Sequence, residues 1–586
     1  MSKDAITAAS AAYPKPGGQT FQYGTAGFRM KADLLPSVVF RVGLLAALRS
    51  RYRNGDVIGV MITASHNPPA DNGVKLIDPL GEMLESSWEA HGTSLANAPD
   101  DESVFEIYTK LENDFGIKPD VKARVVYGCD TRESSPALVK ALKDALDALN
   151  VDSTGFGAVT TPQLHYVVRC LNTAGTDHAY GEPTLKGYYA KLSAAFNQLM
   201  AGRSNGGVTV DCANGVGGPK LHELVPYIAK GTIDITVTND DTETFSKLNS
   251  QCGADYVKTN QRLPPSTNAQ PLARYASLDG DADRIVYYYV DHGSVFHLLD
   301  GDKIATLAAS FIVDLVRASG IDNFNLGVVQ TAYANGSSTR YIEKLGLPVV
   351  CTPTGVKHLH HAALAYDCGV YFEANGHGTV LFSPEALRRI DTHTPNSPAE
   401  QSALTSLKAL TELINQTVGD ALSDLLLVEV ILAHKAWSPA QWDACYTDLP
   451  NRLEKAEVRD RNVYKTTDAE RRLVEPEGCQ DRIDALVSKY HNARSFVRPS
   501  GTENVVRVYA EAATKGEADE LAAKVKAEDN LEWAGLTGFT HEERLLQGIV
   551  DERFGDYWWA DEINSPRQIA SYQVDRKDTK TKDHDI

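Results

Sequence analysis

Short runs of apolar residues, each followed by a polar loop that contains glycine, recur between residues 57 and 350 of the chain. We interpret these runs as buried β-strands; they lie at 57–62, 123–127, 207–210, 285–290, 326–329 and 349–350. A helical period follows the second run and returns strongly over residues 397–430. Strand, loop and helix in alternation are typical of α/β domains with mostly parallel sheets.

The end of the chain follows a different pattern. Residues 495–510 predict a strand, a loop and a strand, with helix continuing to residue 526, which indicates a smaller α+β domain. The mixed charges after residue 541 predict a disordered tail. We therefore predict three α/β domains, one α+β domain and a tail, at 1–190, 191–300, 301–440, 450–540 and 541–586.

Composition narrows the classes of function. A chain of 586 residues is too long for a single core, and none of its apolar runs reaches the ~20 residues that a membrane-spanning helix needs. The N-terminus lacks the apolar stretch of a secretory signal. The net charge of −19 argues against a nucleic-acid partner. The eight cysteines are scattered without a CxxC pair, so we expect a cytoplasmic protein with reduced thiols.

Ser65 is the candidate nucleophile. It lies in the segment TASHNPP (63–69) directly after a buried strand, and such a turn exposes a hydroxyl rigidly, as group transfer requires. An isolated Ser-His pair is more often structural, but Lys75 returns a positive charge toward the same loop. Lys75 could move a proton or neutralise a phosphate, and His66 is the other titratable neighbour.

Asp279, Asp281 and Asp283 alternate immediately before a predicted strand. Carboxylates at this spacing repel one another unless a cation lies between them, and ligation by oxygen alone favours Mg²⁺. The alternatives are a solvated acidic turn or an EF-hand-like calcium loop; the latter fails because no Gly and Glu follow at the required spacing. Arg284 comes next, placed to meet a substrate phosphate or to hold the loop.

A third loop offers groups that bind anions. It combines one guanidinium with hydroxyls, an amide and backbone N–H groups, from Arg498, Ser500, Gly501, Thr502 and Asn504. Arg507 either adds charge to this loop or lies on the face of a strand.

A fourth loop, between predicted strands at 370–372 and 379–382, offers groups that bind sugars. Glu373 and Asn375 supply the donor and acceptor pairs that vicinal hydroxyls need, Gly376 lets a ligand approach the backbone, and His377 follows. Each loop alone would be an ordinary polar segment. The four together indicate phosphoryl transfer on a phosphorylated sugar.

In their order and spacing, these loops resemble the α-D-phosphohexomutase superfamily over about residues 20–535, and within it the eukaryotic phosphoacetylglucosamine mutases. Further segments agree with the superfamily: YGTAGFR (23–29), GCDTR (128–132), TTPQ (160–163) and TGVKH (354–358). The features that select the branch are DNGVK (71–75), YGEPTL (180–185) and EANGHG (373–378). Glucose and mannose mutases usually carry serine at the position of Asn375.

The resemblance implies four domains around a central cleft and an intramolecular phosphotransferase, which is an isomerase. It would interconvert N-acetyl-D-glucosamine 6-phosphate and 1-phosphate, for UDP-N-acetylglucosamine synthesis. Phosphorylated Ser65 would donate its phosphoryl group to the sugar, giving a 1,6-bisphosphate that reorients and returns its other phosphate. Mg²⁺ would bind phosphoserine and the three aspartates, and a hexose 1,6-bisphosphate would activate the enzyme.

The resemblance also implies roles for single residues. Arg29, Lys75 and Arg284 match positions near the transferring phosphate, with Lys75 the better general acid or base. Lys357 matches a position near the cleft. The Arg498 loop would hold the phosphate that is not transferred, and Glu373 with its loop would hold the hydroxyls.

We expect a monomer that binds a small phosphosugar, without nucleic acid or membrane. The alternatives are a phosphoglucomutase or phosphomannomutase, a phosphatase that passes phosphoserine to water, and a non-catalytic scaffold. The stretch after about residue 540 has no counterpart in the family.

Overall fold

A computed structural model of the chain describes residues 3–24, 26–118, 120–500 and 504–527. The described residues form two five-stranded sheets, a four-stranded sheet, a three-stranded sheet and a two-stranded hairpin. No helix in these ranges combines the length and the apolar character needed to cross a membrane. The predicted tail at 541–586 lies outside the described residues.

The first sheet has the strand order β1-β3-β2-β4-β5. Strand β2 is buried along its whole length, as its uninterrupted apolar sequence VIGVMI predicts. The elements are α1 (Lys3–Ser10), β1 (Phe28–Lys31), α2 (Pro36–Tyr52), β2 (Val57–Ile62), β3 (Asp71–Ile77), α3 (Ser86–Asn97), α4 (Asp101–Asp114), β4 (Arg124–Cys129), α5 (Ser135–Ala148), β5 (Asp152–Ala158) and α6 (Thr161–Thr173).

The second sheet has the order β10-β9-β8-β6-β7. Helix α7 precedes it, spans the predicted domain boundary at residue 190 and packs against a helix of the third unit. The elements are α7 (Leu185–Leu199), β6 (Gly207–Asp211), α8 (Gly217–Leu224), β7 (Asp234–Thr238), α9 (Ala254–Asn260), β8 (Arg274–Leu278), β9 (Ile285–Val290) and β10 (Phe296–Leu299).

The third sheet has the order β12-β11-β13-β14. The helical period over 397–430 resolves into two helices, because the side chain of Asp420 accepts hydrogen bonds from the N–H groups of Leu422 and Ser423 and starts a new helix. The elements are α10 (Gly301–Ser319), β11 (Leu326–Thr331), α11 (Gly336–Lys344), β12 (Val349–Thr352), α12 (Val356–Ala363), β13 (Cys368–Phe372), β14 (Gly378–Phe382), α13 (Pro384–Thr392), α14 (Pro398–Leu413), α15 (Ala421–Lys435) and α16 (Pro439–Asp443).

The fourth unit is smaller and fully antiparallel, with the sheet order β15-β19-β18 and a separate β16–β17 hairpin. Its elements are β15 (Asn451–Glu457), β16 (Lys465–Thr467), β17 (Arg472–Glu475), α17 (Cys479–Val487), β18 (Arg494–Pro499), β19 (Val505–Glu511) and α18 (Lys515–Ala527). The predicted fold class, three α/β units and a smaller α+β unit, is confirmed.

The expectation of mostly parallel sheets is only partly correct, because each of the first three sheets is mixed. Each contains an antiparallel hairpin, β2–β3, β8–β9 or β13–β14. The first strand of each hairpin pairs in parallel with an inner neighbour, β4, β6 or β11. The loops of these three hairpins are the serine, aspartate and sugar loops of the sequence. All three loops therefore occupy the same position in the topology of their sheets.

The second and third sheets share one hydrophobic core, which runs from Tyr166 to Trp442. The first sheet has its own core around β2 and α2, and the fourth unit has a small separate core. The second and third units are therefore joined by a continuous stretch of apolar packing.

A buried ion pair fastens α2 to the end of β3. Arg49 donates two hydrogen bonds to Asp78, of 2.9 and 2.7 Å, and both side chains are less than a tenth exposed. We expect Asp78→Ala to destabilise the first unit by about 3–5 kcal/mol, because it leaves a buried guanidinium with only the exposed Glu85. Thermal unfolding would measure the change. The control is Asp56→Ala at an exposed pair with Arg53, where a change of at most about 1 kcal/mol is expected; equal effects would contradict a structural role for the buried pair.

Candidate active site

Ser65 lies in the loop between β2 and β3 with a left-handed backbone, φ +53°. Its N–H donates to Thr63 Oγ1 at 2.9 Å, and its hydroxyl donates to Asp279 Oδ2 at 2.5 Å. The hydroxyl is fully buried, so its predicted exposure is wrong: the aspartate loop covers it. A left-handed serine is a strained conformation that persists only where its surroundings enforce it.

The three aspartates come together as the sequence predicts. Ligand oxygens of Asp279, Asp281 and Asp283 lie within 4.8 Å of one another, and all three residues are buried. Asp279 Oδ1 accepts hydrogen bonds from the N–H groups of Asp283 and Arg284, at 3.1 and 3.2 Å. The loop is therefore closed by its own backbone, with the carboxylates on one side.

Thr161 supports this loop from the first residue of α6. Its hydroxyl donates to Asp281 Oδ2 at 2.6 Å, and its N–H donates to the Asp281 carbonyl at 3.1 Å. Thr160 and Gln163 form a capping box that fixes the start of the helix. The sequence showed the motif TTPQ but not this role, because the contact joins residues 120 positions apart.

The charges of the cluster demand a cation. Burial, and then the charges of Asp283 and Asp281, raise the pKa of Asp279 well above its ordinary value. Burial would also raise the pKa of Asp283, but the nearby His377 and Lys75 outweigh it and hold that pKa low. Asp281 Oδ1 is buried without a hydrogen-bond partner among the described residues. Oxygen donors at this spacing, with an unpartnered carboxylate oxygen, fit Mg²⁺.

Cationic side chains surround the aspartates. Lys75 Nζ lies 3.4 Å from Asp281 Oδ2 and 3.5 Å from Asp283 Oδ2. Arg284 Nε lies 3.7 Å from an oxygen of Asp283. Burial, and then the charge of Arg284, lower the pKa of Arg29, whose Nε has no partner within the described structure. Two neighbouring, partly buried guanidinium groups repel each other, and an anion between them would relieve the repulsion.

His66 is a weak base. Its Nδ1 lies 3.4 Å from the Ser65 hydroxyl. The charge of Arg284, burial and the charge of Arg29 lower the pKa of His66 to about 2. The ring is therefore neutral at physiological pH and is poorly suited to take a proton from the serine.

The sugar loop lies directly against the aspartate loop. The Ile285 N–H donates to the Gly376 carbonyl at 3.2 Å, and His377 Nδ1 lies 3.2 Å from Asp283 Oδ1. Gly376 has φ +88°, and a Cβ there would lie 1.9 Å from the Ile285 carbonyl oxygen, so only glycine fits. Asn375 Nδ2 donates to Glu373 Oε2 at 3.3 Å. The structure thus sets Glu373 and Asn375 side by side and turns His377 toward the aspartates.

The Arg498 loop belongs to the fourth unit. Arg498 and Lys455 each pair across the sheet with Arg507, which puts three cations in one row. The Ser500 N–H donates to the Val505 carbonyl at 2.9 Å, and the Asn504 carbonyl accepts from Val458. Gly501 and Thr502 lie outside the described residues. The three cations and the neighbouring buried Ser500 form a surface that is suited to bind an anion.

The sequence did not reveal Glu470, which meets Arg498 from the β16–β17 turn. Its Oε1 lies 3.3 Å from Arg498 Nη1, and its Oε2 accepts from the N–H and hydroxyl of Thr354 at 2.9 and 2.6 Å. Asp468, Ala469 and Glu470 all have positive φ, which turns the chain sharply at this point. The carboxylate thus joins the fourth unit to the third.

Lys357 has a different environment from the cleft position that its motif implied. Its Nζ donates to the Leu84 carbonyl and to Glu89, both in the first unit. The residue is buried. In this structure its side chain holds the third unit to the first.

Family models match four successive parts of the chain. Residues 178–286 and 300–437 match domains II and III of phosphoacetylglucosamine mutase AMG1. Residues 39–97 and 99–176 match the alpha/beta/alpha domain I of phosphoglucomutase/phosphomannomutase, and residues 451–528 match the C-terminal domain of that family. The order of the matches is the order of the four sheets.

Relatives that match over most of the chain agree with these family matches. The phosphoacetylglucosamine mutase of Candida albicans is 52% identical over 532 residues, which cover 88% of this chain and 97% of the relative. A crystal structure of Aspergillus fumigatus N-acetylphosphoglucosamine mutase in complex with GlcNAc-6P and magnesium is 59% identical, with a TM-score of 0.88 over 90% of this chain and 98% of that one. A serine-to-alanine variant of the A. fumigatus enzyme in complex with glucose 1,6-bisphosphate is also 59% identical, with a TM-score of 0.87 over the same shares.

We expect Mg²⁺ to raise the melting temperature of the protein, because a ligand that binds only the folded state stabilises it, by ~2.7 kcal/mol at one hundred times its Kd. Asp281→Ala should abolish most of this rise by removing one of three ligand carboxylates. Differential scanning fluorimetry with and without Mg²⁺ measures both. Asp240→Ala, at an exposed pair with His222, should keep the full rise; an undiminished rise in Asp281→Ala would disprove the site.

We expect Glu470→Gln to tighten the binding of inorganic phosphate about fivefold, or ~1 kcal/mol, because an anion at Arg498 no longer has to displace a carboxylate. Glutamine can still accept hydrogen bonds from Thr354, which keeps the contact between the units. Calorimetric titration measures the affinity. The gain should vanish in an Arg498→Ala background; a gain that persists there would show that phosphate binds elsewhere.

Proposed function

The chain belongs to the phosphoacetylglucosamine mutase family, and from this membership we propose that it interconverts N-acetyl-D-glucosamine 6-phosphate and N-acetyl-D-glucosamine 1-phosphate. The observation that carries the proposal is the Ser65 hydroxyl, held 2.5 Å from Asp279 at the edge of the aspartate cluster. The complexes of the A. fumigatus relative with GlcNAc-6P and magnesium, and with glucose 1,6-bisphosphate, support it.

The reaction transfers a phosphoryl group twice. In the first half, the bond between phosphorus and Oγ of phosphorylated Ser65 breaks and a bond to the sugar O1 forms, while the O1 proton leaves and Oγ regains a hydrogen. The product is a 1,6-bisphosphate. After it reorients, the bond between its 6-phosphorus and O6 breaks and a bond to Oγ of Ser65 forms, O6 gains a proton as Oγ loses its hydrogen, and the 1-phosphate is released. A hexose 1,6-bisphosphate can therefore phosphorylate the resting serine and activate the enzyme.

Asp279, Asp281 and Asp283 would hold Mg²⁺, which supplies positive charge against the transferring phosphoryl group. Arg29 and Arg284 are proposed to orient that group between them, since both have a buried Nε without a hydrogen-bond partner among the described residues and the two charges repel each other without an anion.

Lys75 is the proposed proton carrier. It is the ammonium group beside Asp281 and Asp283, whereas the low pKa of His66 makes the imidazole a poor base. The two carboxylates hold the ammonium of Lys75 in place on β3.

The two remaining loops are proposed to bind the rest of the sugar phosphate. Glu373 and Asn375 lie side by side and would hold hydroxyls that look alike in both orientations. The Arg498 loop would hold the phosphate that is not transferred. Lys357 would act through the contact between the first and third units.

We also propose that the protein is a cytoplasmic monomer. All eight cysteines are free, which supports a reducing compartment. The serine, aspartate, sugar and phosphate loops all come from one chain, so the site needs no second subunit. Sedimentation velocity at micromolar concentration tests the monomer.

Ser65→Ala should abolish turnover while leaving the melting temperature nearly unchanged, because the variant removes the phosphoryl carrier but little packing. A coupled assay for N-acetylglucosamine 1-phosphate measures turnover. The parent protein, analysed by intact mass after incubation with glucose 1,6-bisphosphate, should carry one phosphate, which peptide mapping should place on Ser65. Full activity in the alanine variant would contradict the mechanism. A higher rate on glucose or mannose 6-phosphate would favour those mutases, and net release of phosphate would favour a phosphatase.

A further inference from the structure

Two side chains from different units grip the same two carbonyl groups of the serine loop. Arg132 Nη2 donates to the carbonyls of Ser65 and Asn67, both at 2.9 Å. Asn249 Nδ2 donates to the same carbonyls at 2.9 and 3.1 Å. The loop is therefore held from both sides, by a residue of the first unit and a residue of the second.

Arg132 has no donor left for a ligand. Its Nε donates to Asp130 Oδ2 at 2.9 Å, and its Nη1 donates to the carbonyls of Pro68 and Asp71 at 2.6 and 2.8 Å. The side chain is fully buried, and its carboxylate partner also accepts a hydrogen bond from Thr63. Every N–H direction of the guanidinium thus serves the backbone of the serine loop or its anchor.

Asn249 occupies the gap between the serine and aspartate loops. Its own N–H donates to the Ala213 carbonyl at 2.9 Å, and its backbone is left-handed, φ +56°. A Cβ at Gly280 would lie 2.6 Å from the Ser65 carbonyl oxygen and 3.0 Å from Asn249 Nδ2. The amide therefore lies where the two loops approach most closely.

We propose that Asn249 is a positioning residue for the phosphoryl transfer, acting opposite Arg132 to fix the left-handed turn that aims the Ser65 hydroxyl at Asp279. The left-handed backbone of Ser65 is strained, and the hydrogen bonds from Arg132 and Asn249 offset that strain. Without the amide, the loop relaxes toward an unstrained backbone and the hydroxyl leaves the cluster. Within the part of the chain that the structure describes, the Asn249 side chain hydrogen-bonds to the serine loop and not to the sugar or phosphate loop, so we expect its effect to fall on the reacting atoms.

The test rests on the proposed function and compares matched asparagines. Asn249→Ala should lower kcat about 10- to 100-fold, since misplacement by about 1 Å can cost that much, with KM for N-acetylglucosamine 6-phosphate nearly unchanged. Asn172 is the control: its Nδ2 donates to the carbonyls of Val57, Pro79 and Val168, at the opposite end of β2. Asn172→Ala should lower the melting temperature and leave kcat within about twofold.

A second measurement separates positioning from stability. The rate at which glucose 1,6-bisphosphate phosphorylates Ser65, followed by intact mass in a single turnover, should fall in Asn249→Ala as kcat falls and stay normal in Asn172→Ala. Asn249→Asp keeps the shape but loses the N–H donors, so it should be at least as slow; it serves in place of the alanine variant if that does not fold. Equal losses in the Asn249 and Asn172 variants, or a raised KM with normal kcat, would overturn the proposal. If the parent enzyme does not phosphorylate Ser65, the proposed function and this inference both fall.

Discussion

Mutual repulsion among three buried carboxylates dominates this structure. Asp279, Asp281 and Asp283 lie within 4.8 Å of one another away from water, a state that low dielectric makes costly. The surrounding groups all reduce that cost: backbone N–H groups close the loop, Thr161 donates a hydroxyl, and Lys75 supplies a charge. A divalent cation completes the balance. Positive charge at the site therefore reduces the repulsion among the carboxylates.

The hairpin topology explains how distant segments reach that cluster. In each of the first three sheets, a buried strand ends at a loop, and the next strand of the chain pairs antiparallel with it. The two paired strands therefore hold both ends of the loop between them. Loops so constrained can hold unusual backbone angles, such as those of Ser65 and Gly376, because the strands on either side leave no alternative.

The sequence predicted the parts whose signal is local. A run of apolar residues before a polar loop marks β2 and β9, and alternation of carboxylates marks the metal cluster, so the three-domain α/β plan and the aspartate loop could be predicted. Asn249 and Glu470 could not, because each is a single polar residue whose partners lie 184 and 116 positions away. The burial of Ser65 escaped notice for the same reason: another unit covers it. The antiparallel return strands were missed because strand direction leaves no mark on an apolar run.

The shared core of the second and third sheets has a mechanical consequence. Because apolar packing is continuous from Tyr166 to Trp442, the aspartate loop and the sugar loop are attached to one packed core. The fourth unit has a separate core and meets the third through a few polar contacts and a small cluster of Ala332, Phe496 and Tyr509. A bisphosphate that must turn over within the enzyme needs space, and the contact between the third and fourth units opposes such an opening with less apolar packing than the shared core does.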